Sequence, residues 1–188
     1  MTVDPLPVSF NEIETTSRKA LIGSGVDPGT AADVAAAVRW LCEYGRDGVG
    51  TVVAAIQTGV DLAAVVRAVD TAIAEEGDVV AVQDNVLLFA GLCGPAAEVF
   101  GVRFELTAAD WSAAIGPSGV EGRIGGGAAS VRMTAAASET VLSGARVTQI
   151  AVSQANWNVL VALAARIYVP SSAHSRASGA GAGLSDND

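Results

Sequence analysis

The chain has 188 residues, enough for one domain with a buried core, and 51% of them are apolar against 16% charged, a globular rather than a disordered composition. Its net charge is −9, with one lysine, Lys19, and ten arginines spread along the chain. Phosphate backbones and anionic lipid both require clustered positive charge, so nucleic acid and membrane surfaces are not expected partners.

The opening Met1–Val8 segment lacks the basic and apolar regions of a signal peptide. The apolar runs Val86–Cys93 and Val159–Ala165 are too short to span a bilayer, so a cytoplasmic location is expected. Cys42 and Cys93 stand alone without metal-ligand or redox spacing and read as two buried thiols.

Ser9-Phe10-Asn11-Glu12 is a capping box, and Ile13, Ala20 and Leu21 continue a helix to the Gly23–Gly25 region. Asp27-Pro28 restarts a helix with Asp as cap and Pro in the first turn. Ala31, Val34, Ala35, Val38, Leu41 and Cys42 give this helix a continuous apolar face as far as Gly45. Arg46-Asp47-Gly48-Val49-Gly50 reads as a loop, and Thr51–Gln57 as a short third helix. Asp61 caps a fourth, with Leu62, Val65, Val66, Val69 and Ile73 on one face, ending at Gly77. Residues 1–77 thus form a helical unit with eleven acidic and five basic side chains.

The pattern then changes. Asp78–Val82 and Val86–Leu92 read as strands, although the second also suits a short buried helix. Val99–Leu106 alternates as a strand. Val120–Ile124 and Ser130–Thr134 read as two strands of a hairpin joined by Gly125-Gly126-Gly127, and Gly144–Val152 as a further strand. Ser153 caps a last helix through Trp157, Leu160, Leu163, Ala164 and Ile167, closed by Pro170. The expected fold is α+β: the helical unit, an antiparallel sheet of about 4–6 strands, a C-terminal helix packed on that sheet, and a Ser/Gly/Ala-rich tail over 171–188. Residues 78–170 form the mixed unit, continuous with the first in one compact fold. Trp40, Trp111 and Trp157 are the expected packing anchors.

Two resemblances add to this reading. Val8-Ser-Phe-Asn-Glu-Ile13, Arg39-Trp40-Leu41, Tyr168-Val-Pro170, Ser175-Arg176 and the closing Gly179–Asp188 resemble the bacterial domain-of-unknown-function family 3726 over nearly the whole chain. That resemblance implies no activity, substrate or cofactor. The first quarter is also similar to the malate/L-lactate dehydrogenase family that lacks a Rossmann fold. Those proteins carry Gly-His-Asp-Ser-His-Gly after a capped helix pair, where this chain has Gly45-Arg46-Asp47-Gly48-Val49-Gly50. Arg46 and Val49 replace both histidines, and valine cannot run an acid/base step.

The one histidine, His174, lies in the tail, so His-rich metal sites are excluded and no metal site is expected. No catalytic set is assembled. The candidate ligand-binding residues are Arg46 and Asp47 in the loop, with His174 and Arg176 in the tail. Arg46 offers a fork for a carboxylate, oriented by Asp47. Gly125–Gly127 lacks the strand-glycine-helix context of a phosphate loop, and Glu105, Asp110 and Glu121 read as surface charges. The leading reading is a non-catalytic accessory protein that binds a partner protein or a small carboxylate ligand and forms a homo-oligomer, its cofactor unknown. The alternative is a small dehydrogenase-related enzyme in which Arg46 binds a carboxylate substrate and Asp47 or His174 moves a proton.

Overall fold

Helix caps written into the sequence set the first half of the structure. A computed structural model describes residues 5–136, 144 and 146–168. Helix α1 (Phe10–Gly23) starts where Ser9 Oγ accepts the Glu12 N–H at 3.2 Å, and Glu12 Oε2 accepts the Ser9 N–H at 3.0 Å. Helix α2 (Pro28–Glu43) starts on Asp27, whose Oδ1 accepts from Gly29 and Thr30, both at 3.0 Å. Helix α3 (Gly48–Thr58) is capped by Asp47 and helix α4 (Leu62–Ala74) by Asp61, which accepts the Ala64 N–H at 3.0 Å. Each cap satisfies N–H groups that a helix start otherwise leaves unpaired.

Helix α2 is the hub of the helical layer, packing on α1, α3, α4 and α5 (Val86–Phe100). Helix α5 also contacts the sheet, so it lies between the two layers and is apolar on every side until its last turn. The strand expected at Val86–Leu92 is therefore helix, as the other reading of that run allowed. A buried strand and a buried helix both appear in sequence as an unbroken apolar run. The strand expected from Val99 begins only at Val102, because Val99 and Phe100 close α5 and Gly101 ends it with φ +65°.

The main sheet is antiparallel, ordered β2-β6-β3-β4-β5: β2 (Val79–Val82), β6 (Ala129–Ala135), β3 (Val102–Thr107), β4 (Ser112–Gly116) and β5 (Gly119–Gly122). The expected hairpin across Gly125–Gly127 does not form. Strand β5 pairs with β4, in the register Ile115↔Val120, while β6 inserts between β2 and β3 with Ala129, Val131 and Met133 buried. The glycines instead let the chain run beside Trp111, whose Nε1 donates to the Gly126 carbonyl at 3.0 Å.

A second, two-stranded sheet joins β1 (Pro5–Val8) to β7 (Ile150–Ser153), so the expected strand 144–152 is paired only at its end. Helix α6 (Gln154–Ala164) follows with a 3-10 turn at Ala165–Ile167. It packs on α1 and α3, not on the five-stranded sheet as expected. The β1–β7 pairing carries the chain back to the N-terminal helices before α6 starts. Leu160 and Ala164 join the same apolar cluster as Ile13, Phe89 and Phe104. Trp40 and Trp111 are buried in it, and Trp157 packs against its edge half-buried. Among the described residues no single helix is long and apolar enough to cross a membrane; α3 and α4 reach that composition only as a pair bent by 119°.

Candidate functional site

The Arg46-Asp47 segment is a helix start. Asp47 Oδ1 accepts the Gly50 N–H at 2.7 Å, and its carbonyl accepts from Thr51 N at 3.0 Å and Thr51 Oγ1 at 2.7 Å. Gly48, Val49 and Gly50, expected in the loop, form the first turn of α3. Arg46 is half-buried and held by its backbone, its N–H donating to the Leu41 carbonyl at 2.8 Å. Among the described residues its guanidinium forms no ion pair, with Asp47 or any other carboxylate. His174 and Arg176 lie outside the described residues. Neither Arg46 nor Asp47 lines either cleft flanking α2 and α5.

Those two clefts share Ala36 of α2 and Pro95 of α5. The first is polar and centres on Glu43, only 7% exposed at the end of α2. Glu43 Oε1 accepts from Arg39 Nε at 2.7 Å, and Oε2 lies 3.4 Å from Arg146 Nη1. Arg39 also reaches Glu14 at 2.9 Å, and Arg146 pairs with Glu98. The hydrogen bonds that Arg39 donates to Glu14 and then to Glu43 raise its guanidinium above its ordinary pKa. For Arg146 the Tyr44 hydroxyl, 3.3 Å from Nε, acts in the same direction. Arg146 also lies 5.7 Å from the Tyr44 ring centroid, and that ring packs on Trp40 at 4.5 Å between centroids.

Every charge in this cleft has a partner within it. With the Val147 N–H donating to the Glu43 carbonyl at 2.7 Å, the cluster ties α1, α2, α5 and residues 146–147 together. A ligand entering it would have to break pairs already made. Its chemistry is structural.

The second cleft is an open apolar groove of ≈ 320 Å³ between α2, α4 and α5. Val66 and Ile73 of α4 and Pro95 and Phe100 of α5 supply its apolar wall, with Asp33 of α2 and Asp70 of α4 as its charged groups. At its end Val99 is 76% exposed and Phe100 62% exposed, beside buried Val69 and Leu92 and half-buried Val66 and Ile73. Burial first, then the Asp70 and Asp27 charges, raises the Asp33 carboxyl above the ordinary aspartate range. This groove escapes the sequence reading because Val99 and Phe100 read as the start of a strand. The signal was present: Leu92, Ala96 and Val99 recur four and three residues apart, and Gly101 follows as a C-cap.

The two cysteines are free and buried. Burial pushes the Cys42 thiol up to about 11, and full burial pushes Cys93 well above the usual thiol range.

Residues 8–76 match the family model of DUF3726, a protein family of unknown function. The match runs from the end of β1 through α4, so it includes the α2 and α4 walls of the groove but not α5. The resemblance expected over nearly the whole chain is thus carried by its N-terminal part, and the closing Gly179–Asp188 motif lies beyond it. No curated protein and no solved structure matches the chain, and nothing in these comparisons carries the malate/L-lactate dehydrogenase likeness.

Proposed function

We propose that this protein is a non-catalytic accessory protein that binds a partner chain in the groove between α2, α4 and α5. The observation that carries this reading is the pair Val99 and Phe100, left in solvent beside an apolar groove. Contiguous apolar surface on a folded chain marks an interaction site, whereas a single exposed apolar residue does not. The Glu43 cleft supports the same reading from the other side. Its closed ion-pair network stiffens α2 against α1 and α5, so two walls of the groove are pre-set before a partner arrives. In the alternative reading, a small enzyme acting on a carboxylate substrate, Asp47 or His174 would carry a proton; the Asp47 carboxylate is engaged by the Gly50 N–H.

The test is site-specific photocrosslinking in the producing cells with a photoreactive amino acid at position 99. A discrete adduct that disappears when Phe100→Asp is added supports the reading. Adducts no different from those of the same group at exposed position 121, on the sheet, refute it.

A further inference from the structure

The groove leaves two carboxylates without a cation. Asp33 and Asp70 line it, and among the described residues neither accepts a hydrogen bond or joins an ion pair. The arginines on the same two helices are already engaged elsewhere, Arg39 with Glu14 and Glu43, and Arg67 with Asp61 at 3.5 Å. Burial first, and then the negative charge of Asp70, disfavours ionised Asp33. Two like charges held beside exposed apolar side chains oppose the fold's own stability, and an incoming cation relieves them.

Three occupants can be compared. A second copy docking through the same groove by two-fold symmetry would set Asp33 and Asp70 against themselves, in a chain already at −9. The chain's own residues 171–188 offer one large apolar residue, Leu184, and one arginine, Arg176, against Asp186 and Asp188, so their net charge is negative and no basic face accompanies the leucine. A foreign helix with one apolar and one basic face meets both demands. Three helices form the walls, and an added helix can lay its apolar face along the trough they leave.

Building on the partner-binding reading, we infer that the groove receives a basic amphipathic helix of another protein, its apolar face on Val66, Ile73 and Phe100 and its lysine or arginine side chains at Asp33 and Asp70. Partially exposed ion pairs contribute modestly each, so the two carboxylates together set selectivity while Phe100 carries affinity.

The experiment uses the full chain and two fluorescein-labelled synthetic helices of equal length, one of Leu and Lys and one of Leu and Glu, followed by anisotropy. The Leu/Lys helix is expected to bind saturably and at least roughly tenfold more tightly than the Leu/Glu helix. Asp33→Asn with Asp70→Asn should weaken it roughly fivefold, from two surface pairs. Phe100→Asp should weaken it more than about tenfold, from the loss of one buried aromatic. Glu121→Gln, on the sheet, should change nothing. Phe100 is largely exposed, so Phe100→Asp should keep the wild-type melting temperature, and the asparagine pair provides a second variant that preserves the apolar wall.

Equal binding to the wild type and the double asparagine variant overturns the inference, as does no binding of the Leu/Lys helix. Preference for the Leu/Glu helix, lost in Phe100→Asp, also overturns it while leaving the partner-binding reading standing. A wild-type dimer by light scattering that Phe100→Asp splits assigns the groove to a second copy and overturns it as well. Failure of the crosslinking at position 99 removes the underlying reading itself.

Discussion

Replacing Gly94 by alanine should destabilise the protein even though alanine is the better helix former. Gly94 lies within α5, and a Cβ there would come 2.2 Å from Trp40 Cε2, 2.3 Å from Cδ2 and 2.4 Å from Nε1. Ordinary carbon contacts lie near 3.5–4.0 Å, so the indole would have to retreat by more than about 1 Å. It has little room, being 3% exposed and packed on the Tyr44 ring. Overpacking of this kind costs about 1–3 kcal/mol, and the steepness of the contact places Gly94→Ala at the upper end. The helix gains about 1 kcal/mol from the exchange. The net loss should be about 2 kcal/mol, a fall of roughly 4–8 °C in Tm for a chain of this size.

Chemical denaturation with thermal melting measures this directly. Gly126→Ala is the control, since nothing lies within 4 Å of its added Cβ, and it should stay within about 0.5 kcal/mol of the wild type. Trp40→Phe offers a second check. Among the described residues the indole N–H has no hydrogen-bond partner, so the exchange removes bulk without breaking a bond. In that background the Gly94→Ala penalty should shrink by more than half, a coupling expected only of residues in contact. A Gly94→Ala protein as stable as the wild type would refute the close packing of α5 on α2.

Asp47→Ala should lower stability by about 1 kcal/mol through loss of the α3 cap, and Asp47→Asn should recover most of it; equal stability of all three in urea would contradict the capping role. Asp33→Asn should raise stability at pH 7. The folded carboxyl titrates above the ordinary value of 3.8, so the native state binds the extra proton. Stability therefore declines as pH rises through that window, and the penalty is complete above the folded pKa. The advantage of Asp33→Asn should vanish below 3.8, and an advantage that persists there in pH-dependent melts would be inconsistent with this origin. Neither Cys42 nor Cys93 should react with an aromatic disulfide reagent at pH 8 until the protein is denatured, when both should; rapid native labelling would show that the thiols are not shielded.

Much of the helical half is legible in the amino-acid sequence because caps are local. Ser9, Asp27, Asp61 and Ser153 each bond N–H groups two or three residues away, so side-chain type and spacing reveal the helix starts. Asp47 acts in the same way, but the glycines on both sides of Val49 read as loop, which hides the start of α3. The buried thiols and the surface charges at Glu105, Asp110 and Glu121 follow from residue type in the same manner.

Pairing and packing depend on residues far apart in the chain, and there only the tertiary structure decides. Val86–Phe100 is uniformly apolar, and its place between the helices and the sheet makes it a helix. Strand β6 has a buried alternation that suits a central strand as well as a hairpin arm, and long-range pairing with β2 and β3 selects the former. The groove arises from both effects. It exists because α5 ends as a helix beside α4, which leaves Val99 and Phe100 in solvent and brings Asp33 toward Asp70, thirty-seven positions away in sequence. Local chemistry shows where each helix begins; which faces remain uncovered follows only when every element has taken its neighbours.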